Sequence, residues 1–342
     1  MNIEKTIPAL ITNRIKKYQS KILFQRRDGW SWKQITWLDF ERDVKSIASF
    51  LLDLGFGPGD AAIMVSPNRM ECLFAEVAVC FLGGVAIPME GDELLERIIE
   101  ELAKGVRIKF IFTADAAIAN RVITFFNSFP DLGKIIVFSY NDLGKDDRII
   151  PYASVLKFGL LKRRQLEDSL TTTSESVSPD SPAVIFYDPG LNGKVNEKKV
   201  AHLDLIEALH LMAKTYPFIG EEDQSFSCLT SASPFEKFIN YLALYMGSRI
   251  VMAETREDFF EDILEVKPTV LFETRDGLED ICSRVLSDAG KKSGSEKLRR
   301  DLGNRIKYVL TDAPPEDRIK SLFSKSGASI VEVPELNKLG EL

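Results

Sequence analysis

The chain has 342 residues, enough to bury one large core or two moderate ones, and its hydrophobic (45%) and charged (28%) shares are those of a soluble globular protein. A formal net charge of −7 argues against binding nucleic acid or anionic lipid through bulk charge. Short basic runs such as Lys162-Arg-Arg164 and Lys291-Lys292 read as solvated surface.

In chain order, an amphipathic helix is predicted over 7–18, then a strand at Ile22–Gln25 and a turn at Asp28-Gly29. Thr36 is placed to cap a long helix that ends at Gly55, followed by a strand over Ala62–Val65. Helices around 70–82, 93–104 and 116–126 then alternate with strands at Val85–Ile87, Phe110–Phe112 and Ile135–Phe138. The apolar run Cys72–Met89 holds Glu76 and is broken by Gly83-Gly84 and Pro88, so it reads as a buried helix and strand, with no transmembrane segment. The Ser/Thr-rich stretch 168–182 reads as a linker. Beyond it the alternation resumes, with strands at 183–187, 225–229, 249–252, 269–272, 306–310 and 329–331, helices between them, and a charged loop over 290–300. Short apolar strands alternating with helices predict an α/β fold with two doubly wound parallel-sheet subdomains, 1–170 and 171–342.

The four cysteines, Cys72, Cys80, Cys228 and Cys282, lack paired-motif spacing and read as reduced thiols of a cytosolic protein. The histidines His202 and His210 fall on one helix roughly 12 Å apart at 1.5 Å per residue, too far to share a metal ion. No metal site is expected.

The most informative stretch is Tyr187-Asp-Pro-Gly-Leu-Asn-Gly-Lys-Val-Asn-Glu-Lys-Lys-Val-Ala-His202. It follows an apolar strand and precedes a helical pattern, and a glycine loop in that setting can cradle an anion on backbone N–H groups. It is not a Walker A loop, because Val195 stands where Ser or Thr is required. Three readings stand for it: a turn between strand and helix, a residual anion site at the helix N-terminus, or a working nucleotide loop.

The stretch resembles the phosphate loop of the AMP-forming acyl-CoA synthetases and their adenylate-forming relatives, Tyr-Thr-Ser-Gly-Thr-Thr-Gly-x-Pro-Lys-Gly-Val with Thr-His further on. Tyr187, Gly190, Gly193 and His202 match at every interval, while Asp188-Pro189, Leu191-Asn192 and Val195-Asn196-Glu197 replace the phosphate-binding residues. The segments Leu54–Asp60, Asn68-Arg69, Gly83–Pro88, Tyr241–Gly247 with Ile250–Glu254, and Val266–Phe272 are similar to those of long-chain fatty-acid–CoA ligases in order and spacing. The resemblance implies vestigial nucleotide-binding positions at Tyr187, Gly190, Asn192, Gly193, Lys194, His202, Ala313 and Pro314. It places acyl-pocket candidates at Ser233, Glu236 and Tyr241. The family's metal-holding glutamate falls on Lys338, and its catalytic C-terminal domain has no counterpart, so no catalytic residue is assigned.

The departures imply a catalytically inactive homologue acting as a binding, regulatory or partner protein in the cytoplasm, with no nucleic-acid role. ATP or AMP and Mg²⁺ are its cofactors only if the family activity is retained. A fatty acyl ligand, a protein partner and a homo-oligomer are the implied associations. The alternative is a long-chain fatty-acid–CoA ligase, or a half-ligase completed by a second polypeptide. Two further expectations follow from the resemblance: residues 1–60 able to pack with the second subdomain, and an elongated acyl cavity near Ser233 and Tyr241 in competition with a closed core.

Overall fold

The computed structural model describes residues 4–89, 93–139, 146–189, 195–229, 233–253, 255–287 and 294–333. The chain opens with α1 (Ile7–Tyr18), β1 (Ile22–Asp28), β2 (Ser31–Thr36), α2 (Trp37–Asp53), β3 (Asp60–Val65) and α3 (Met70–Phe81). Next come β4 (Val85–Met89), α4 (Glu93–Gly105), β5 (Arg107–Thr113), α5 (Ala116–Val122), β6 (Lys134–Val137), β7 (Ile149–Pro151) and α6 (Tyr152–Glu175). They are followed by β8 (Pro182–Pro189), β9 (Val195–Ala201), α7 (His202–Thr215), β10 (Gln224–Ser227), α8 (Pro234–Met246) and β11 (Arg249–Met252). The last are α9 (Phe259–Val266), β12 (Val270–Phe272), α10 (Arg275–Ser287), α11 (Gly294–Asp301), β13 (Tyr308–Thr311), α12 (Asp317–Ser326) and β14 (Ser329–Glu332).

Local chemistry sets these elements. Thr6 starts α1 by accepting the Ala9 N–H, and Ile7, Leu10, Ile11, Ile15 and Tyr18 form its buried stripe. Thr36 and Asp39 form a reciprocal capping box at the start of α2. All six residues of β3 are buried, as expected of a central parallel strand covered on both faces.

The chain divides into two units, Met1–Ser20 with Thr36–Ala208, and Lys21–Ile35 with Leu209–Leu342. The first holds a sheet of order β7-β6-β5-β3-β4-β8-β9, parallel except for the antiparallel β8–β9 pair. Its core layer includes Ile63, Ile87, Ile111, Ile135 and Ile185. The second holds a sheet of order β14-β13-β12-β10-β11-β1-β2, with Phe226, Val251, Leu271 and Val309 in its core.

This division corrects the boundary expected at 170/171. β8 joins the first sheet beside β4, with Ala86 opposite Val184, because Val184 and Ile185 complete that core. Of residues 1–60, only Lys21–Ile35 belong to the second unit, where β1 pairs with β11. The linker expected over 168–182 is also corrected, since α6 continues to Glu175. Leu170 is buried, and the hydroxyls of Ser174 and Ser176 donate to carbonyls three residues back, at Thr171 and Thr173. The charged loop expected over 290–300 includes α11, anchored by the buried Leu298 and a Lys297–Asp301 ion pair at 2.8 Å.

α6 lies along α2 at van der Waals distance, and Gly159 is what permits it. A Cβ there would stand 1.8 Å from the Ser46 carbonyl oxygen. Gly159→Ala gains up to about 1 kcal/mol of helix propensity and loses about 1–3 kcal/mol to overpacking, so a net loss of roughly 1–2 kcal/mol is expected. A lower urea midpoint at unchanged m-value is the signature; an equal or higher midpoint refutes the close approach.

Candidate functional site

Two places collect the residues singled out above, one in each unit. In the first, β8 and β9 form an antiparallel pair whose register runs from Pro182 opposite Ala201 to Pro189 opposite Val195. Tyr187 sits half-buried opposite Glu197, and burial together with that carboxylate pushes its hydroxyl up to about 12. Gly190, Asn192, Gly193 and Lys194 lie outside the described residues.

The helix expected after the Tyr187–His202 stretch is present as α7, but the stretch itself holds a strand that was not expected. The seven-residue β9 intervenes, a polar edge strand that carries the start of α7 some ~20 Å along the sheet at about 3.3 Å per residue. Three N–H groups at that junction are also taken. His202 donates its backbone N–H to Ser181, Leu203 donates to Pro179, and Ala201 to the Asp204 carboxylate. The helix-N-terminus reading of the loop therefore loses its helix.

His202 itself is turned inward. Its ring has no exposed surface, and Nδ1 accepts the Ile7 N–H at 3.3 Å, fixing the proton on Nε2. Burial pulls its pKa down to about 4, so it is neutral at pH 7 and tied to the first turn of α1.

In the second unit the site residues gather at the carboxyl edge of the sheet, where α/β folds place ligands. Ser233 caps α8 by accepting the Glu236 N–H. Glu236, one turn into the helix, is fully buried. Its two oxygens accept from Ser227 Oγ at 2.8 Å and Asn240 Nδ2 at 3.1 Å, which ties the end of β10 to α8. Tyr241 is fully enclosed, and every residue from Phe235 to Leu244 is buried. The acyl-pocket candidates are thus a cap, a buried strut and a core residue. A cavity of about 480 Å³ lies instead in the first unit, where Thr12, Lys16, Phe81, Leu170 and Ser174 are among its lining. Beyond β13, Ala313 is half-buried with its carbonyl accepting from Thr311 Oγ1, and Pro314 is exposed.

The same edge carries groups that sequence reasoning missed. Arg256, just past β11, donates to the Glu273 carboxylate, to the Gly277 carbonyl at 3.3 Å, and pairs with Asp280 at 3.5 Å. Glu273, just past β12, is buried and also accepts the Thr274 N–H. Burial raises its carboxyl pKa, against the pull of Arg256. Gly277 makes room for it, since a Cβ there would lie 2.1 Å from Oε1. Cys228 faces Arg256, Glu236 and Glu273, and burial pushes its thiol up to about 11. Asp312 accepts the Arg275 N–H, while the Arg275 guanidinium pairs with Asp276. The available signal was a charged residue directly after an apolar strand run, at Glu273.

A nucleoside triphosphate set against this edge would meet the Asp312 carboxylate, while Glu236 and Glu273 lie buried behind it and the Arg256 guanidinium is already held by Glu273 and Asp280. The described residues here do not fit a polyphosphate. Among the described residues, no group of three His, Cys, Asp or Glu converges to hold a metal, and no helix is long and apolar enough to cross a membrane.

The family model described as AMP-binding enzyme matches residues 12–333. The long-chain-fatty-acid–CoA ligase FadD15 of Mycobacterium tuberculosis is 17% identical over 266 residues, 78% of this chain and 43% of that protein. The 4-coumarate–CoA ligase-like 5 protein of Oryza sativa subsp. japonica is 23% identical over 189 residues, 55% of this chain and 30% of that protein. The chain thus spans less than half the length of these curated relatives. Among solved structures, a long-chain-fatty-acid-CoA ligase (FadD1) from Archaeoglobus fulgidus superposes with a TM-score of 0.73 at 13% identity, covering 97% of this chain and 64% of that one. The N-terminal domain of FACL13 from Mycobacterium tuberculosis gives 0.68 at 14% identity, covering 96% and 75%. At these identities the likeness establishes the fold.

Proposed function

The chain belongs to the AMP-binding enzyme family, and from that membership we propose that it uses the family's fold without its adenylation chemistry, as a non-catalytic binding or partner protein. The observation that carries this reading is the Arg256–Glu273 pair at the carboxyl edge of the second sheet. Adenylation needs donors and a cation held where negative charge gathers on a polyphosphate. Here the arginine of the edge is already neutralised by Glu273 and Asp280. Each missing hydrogen bond to a charged group removes roughly 1.5–3 kcal/mol, or about 10- to 150-fold in rate. The loop substitutions at Asp188, Leu191 and Glu197 act in the same direction.

The relatives' names supply fatty acids as the ligand class to test. The closed packing around Tyr241 argues against an acyl ligand there. ATP–pyrophosphate exchange with lauric through palmitic acid is expected to equal the blank without protein. Exchange above that blank, abolished by Gly193→Asp, would overturn the reading. Thermal shift with AMP, ATP, CoA and the same acids extends the test, since a ligand at 100 times its Kd adds about 2.7 kcal/mol of stability.

A further inference from the structure

The exposed face of α6 carries a combination that neither the family fold nor the proposed function requires. Leu161 is 72% exposed, Leu160 51% and Phe158 48%, three large apolar side chains within four residues of a helix surface. At 100° per residue, Lys157, Phe158, Leu160, Leu161 and Arg164 fall on one side of the helix, opposite the buried Val155 and Gly159. Leu54, 45% exposed, follows the end of α2, whose Asp53 pairs with Lys162 of α6 at 3.0 Å. Scattered exposed leucines are ordinary; a contiguous group of them marks an interaction surface.

The charges around this group decide what it meets. Lys157, Lys162, Arg163 and Arg164 surround the apolar side chains in a chain whose net charge is −7. Lys162 and Arg163 are engaged by Asp53 and Glu167, and Glu167 also pairs with Lys45. Lys157 and Arg164 have no carboxylate partner among the described residues. Asp168, one turn beyond Arg164, and Glu175 at the end of the helix are acidic groups of the same face. We propose that this face of α6 docks on an anionic lipid surface, with Phe158, Leu160 and Leu161 entering the headgroup region and Lys157 and Arg164 meeting lipid phosphates. An apolar cluster ringed by cations fits that occupant by charge and by shape. A solvated basic run, the reading the sequence favours, would not present Phe158, Leu160 and Leu161 outward. The inference is independent of whether the protein adenylates.

The test is vesicle co-sedimentation of the full chain, using phosphatidylcholine vesicles with or without phosphatidylglycerol, at low and high salt. Binding is expected to require phosphatidylglycerol and to weaken with salt. Lys157→Gln and Arg164→Gln are each expected to weaken it about fivefold, from about one charge-equivalent of attraction per residue. Leu161→Asp is expected to abolish it; Leu161 is so exposed that the variant keeps the parent melting temperature. Three outcomes would each overturn the proposal. They are no binding to phosphatidylglycerol vesicles, binding insensitive to Leu161→Asp and to both charge removals, and self-association in sedimentation velocity that Leu161→Asp removes, which assigns the face to a second copy.

Discussion

Arg27→Ala is expected to lower folding stability by about 2–3 kcal/mol, the upper part of the range for stranding a buried polar group, since Arg27 itself is partly exposed. Arg27 stands on β1 and reaches α9, donating through Nε to Asp262 at 2.7 Å, while its Nη2 forms ion pairs with Asp262 at 2.5 Å and Glu265 at 3.3 Å. The Asp262 side chain is only 4% exposed, so without the guanidinium its charge loses its counter-ion in a poorly hydrated setting. The guanidinium also lies over the Trp32 ring, whose indole N–H donates to Glu265 at 2.8 Å. These contacts fasten the β1–β2 hairpin to the rest of the second unit. Burial already raises the Asp262 pKa and Arg27 opposes that rise. In the variant the pKa climbs further, so the lost stability should be regained as pH falls and Asp262 takes up a proton. Urea unfolding at pH 7 and pH 5 reads both effects. Adding Asp262→Asn to Arg27→Ala should recover most of the loss, because the stranded charge is then gone. A loss under about 1 kcal/mol at pH 7, the value of a surface pair, would mean that Asp262 is hydrated after all.

That hairpin also marks where the sequence stopped being legible. The α/β alternation could be read because parallel strands buried on both faces are apolar throughout, as in Ala61–Val65, Ile111–Phe112 and Ile135–Val137. β9 could not, since an edge strand with one open side is written in polar residues, Val-Asn-Glu-Lys-Lys-Val-Ala. The end of α6 was hidden by its Ser/Thr content, which signals a loop until the α2 surface beneath it is known. The spacing from Tyr187 to His202 was legible as a motif, but which way His202 faces depends on α1, some 195 residues earlier. Likewise Arg256 and Glu273 meet across the end of β10, which lies between β11 and β12 in the sheet, an order that no local pattern encodes.

His202 gives the second large effect, a stability that depends on pH through one ring. Its pKa is held down to about 4 in the folded protein, against 6.5 for the unperturbed side chain. A base with a depressed folded pKa contributes stability that is complete above the unfolded value. As pH falls below 6.5 the unfolded chain takes up the proton first, and the contribution drains away until the folded ring also protonates near 4. Two and a half pKa units correspond to about 3 kcal/mol over that window. The physical cause is local. Protonating Nδ1 would destroy the acceptor for the Ile7 N–H and place a cation where no carboxylate partner is described. His202→Gln keeps a hydrogen-bond acceptor and removes the titration. The difference in unfolding free energy between parent and variant should therefore shrink by about 2–3 kcal/mol between pH 7.5 and pH 4.5, while carboxylates titrating in both proteins cancel. Parallel stability curves for the two proteins would show that His202 titrates as it does in water, and would reopen its ring to a role at the nucleotide loop.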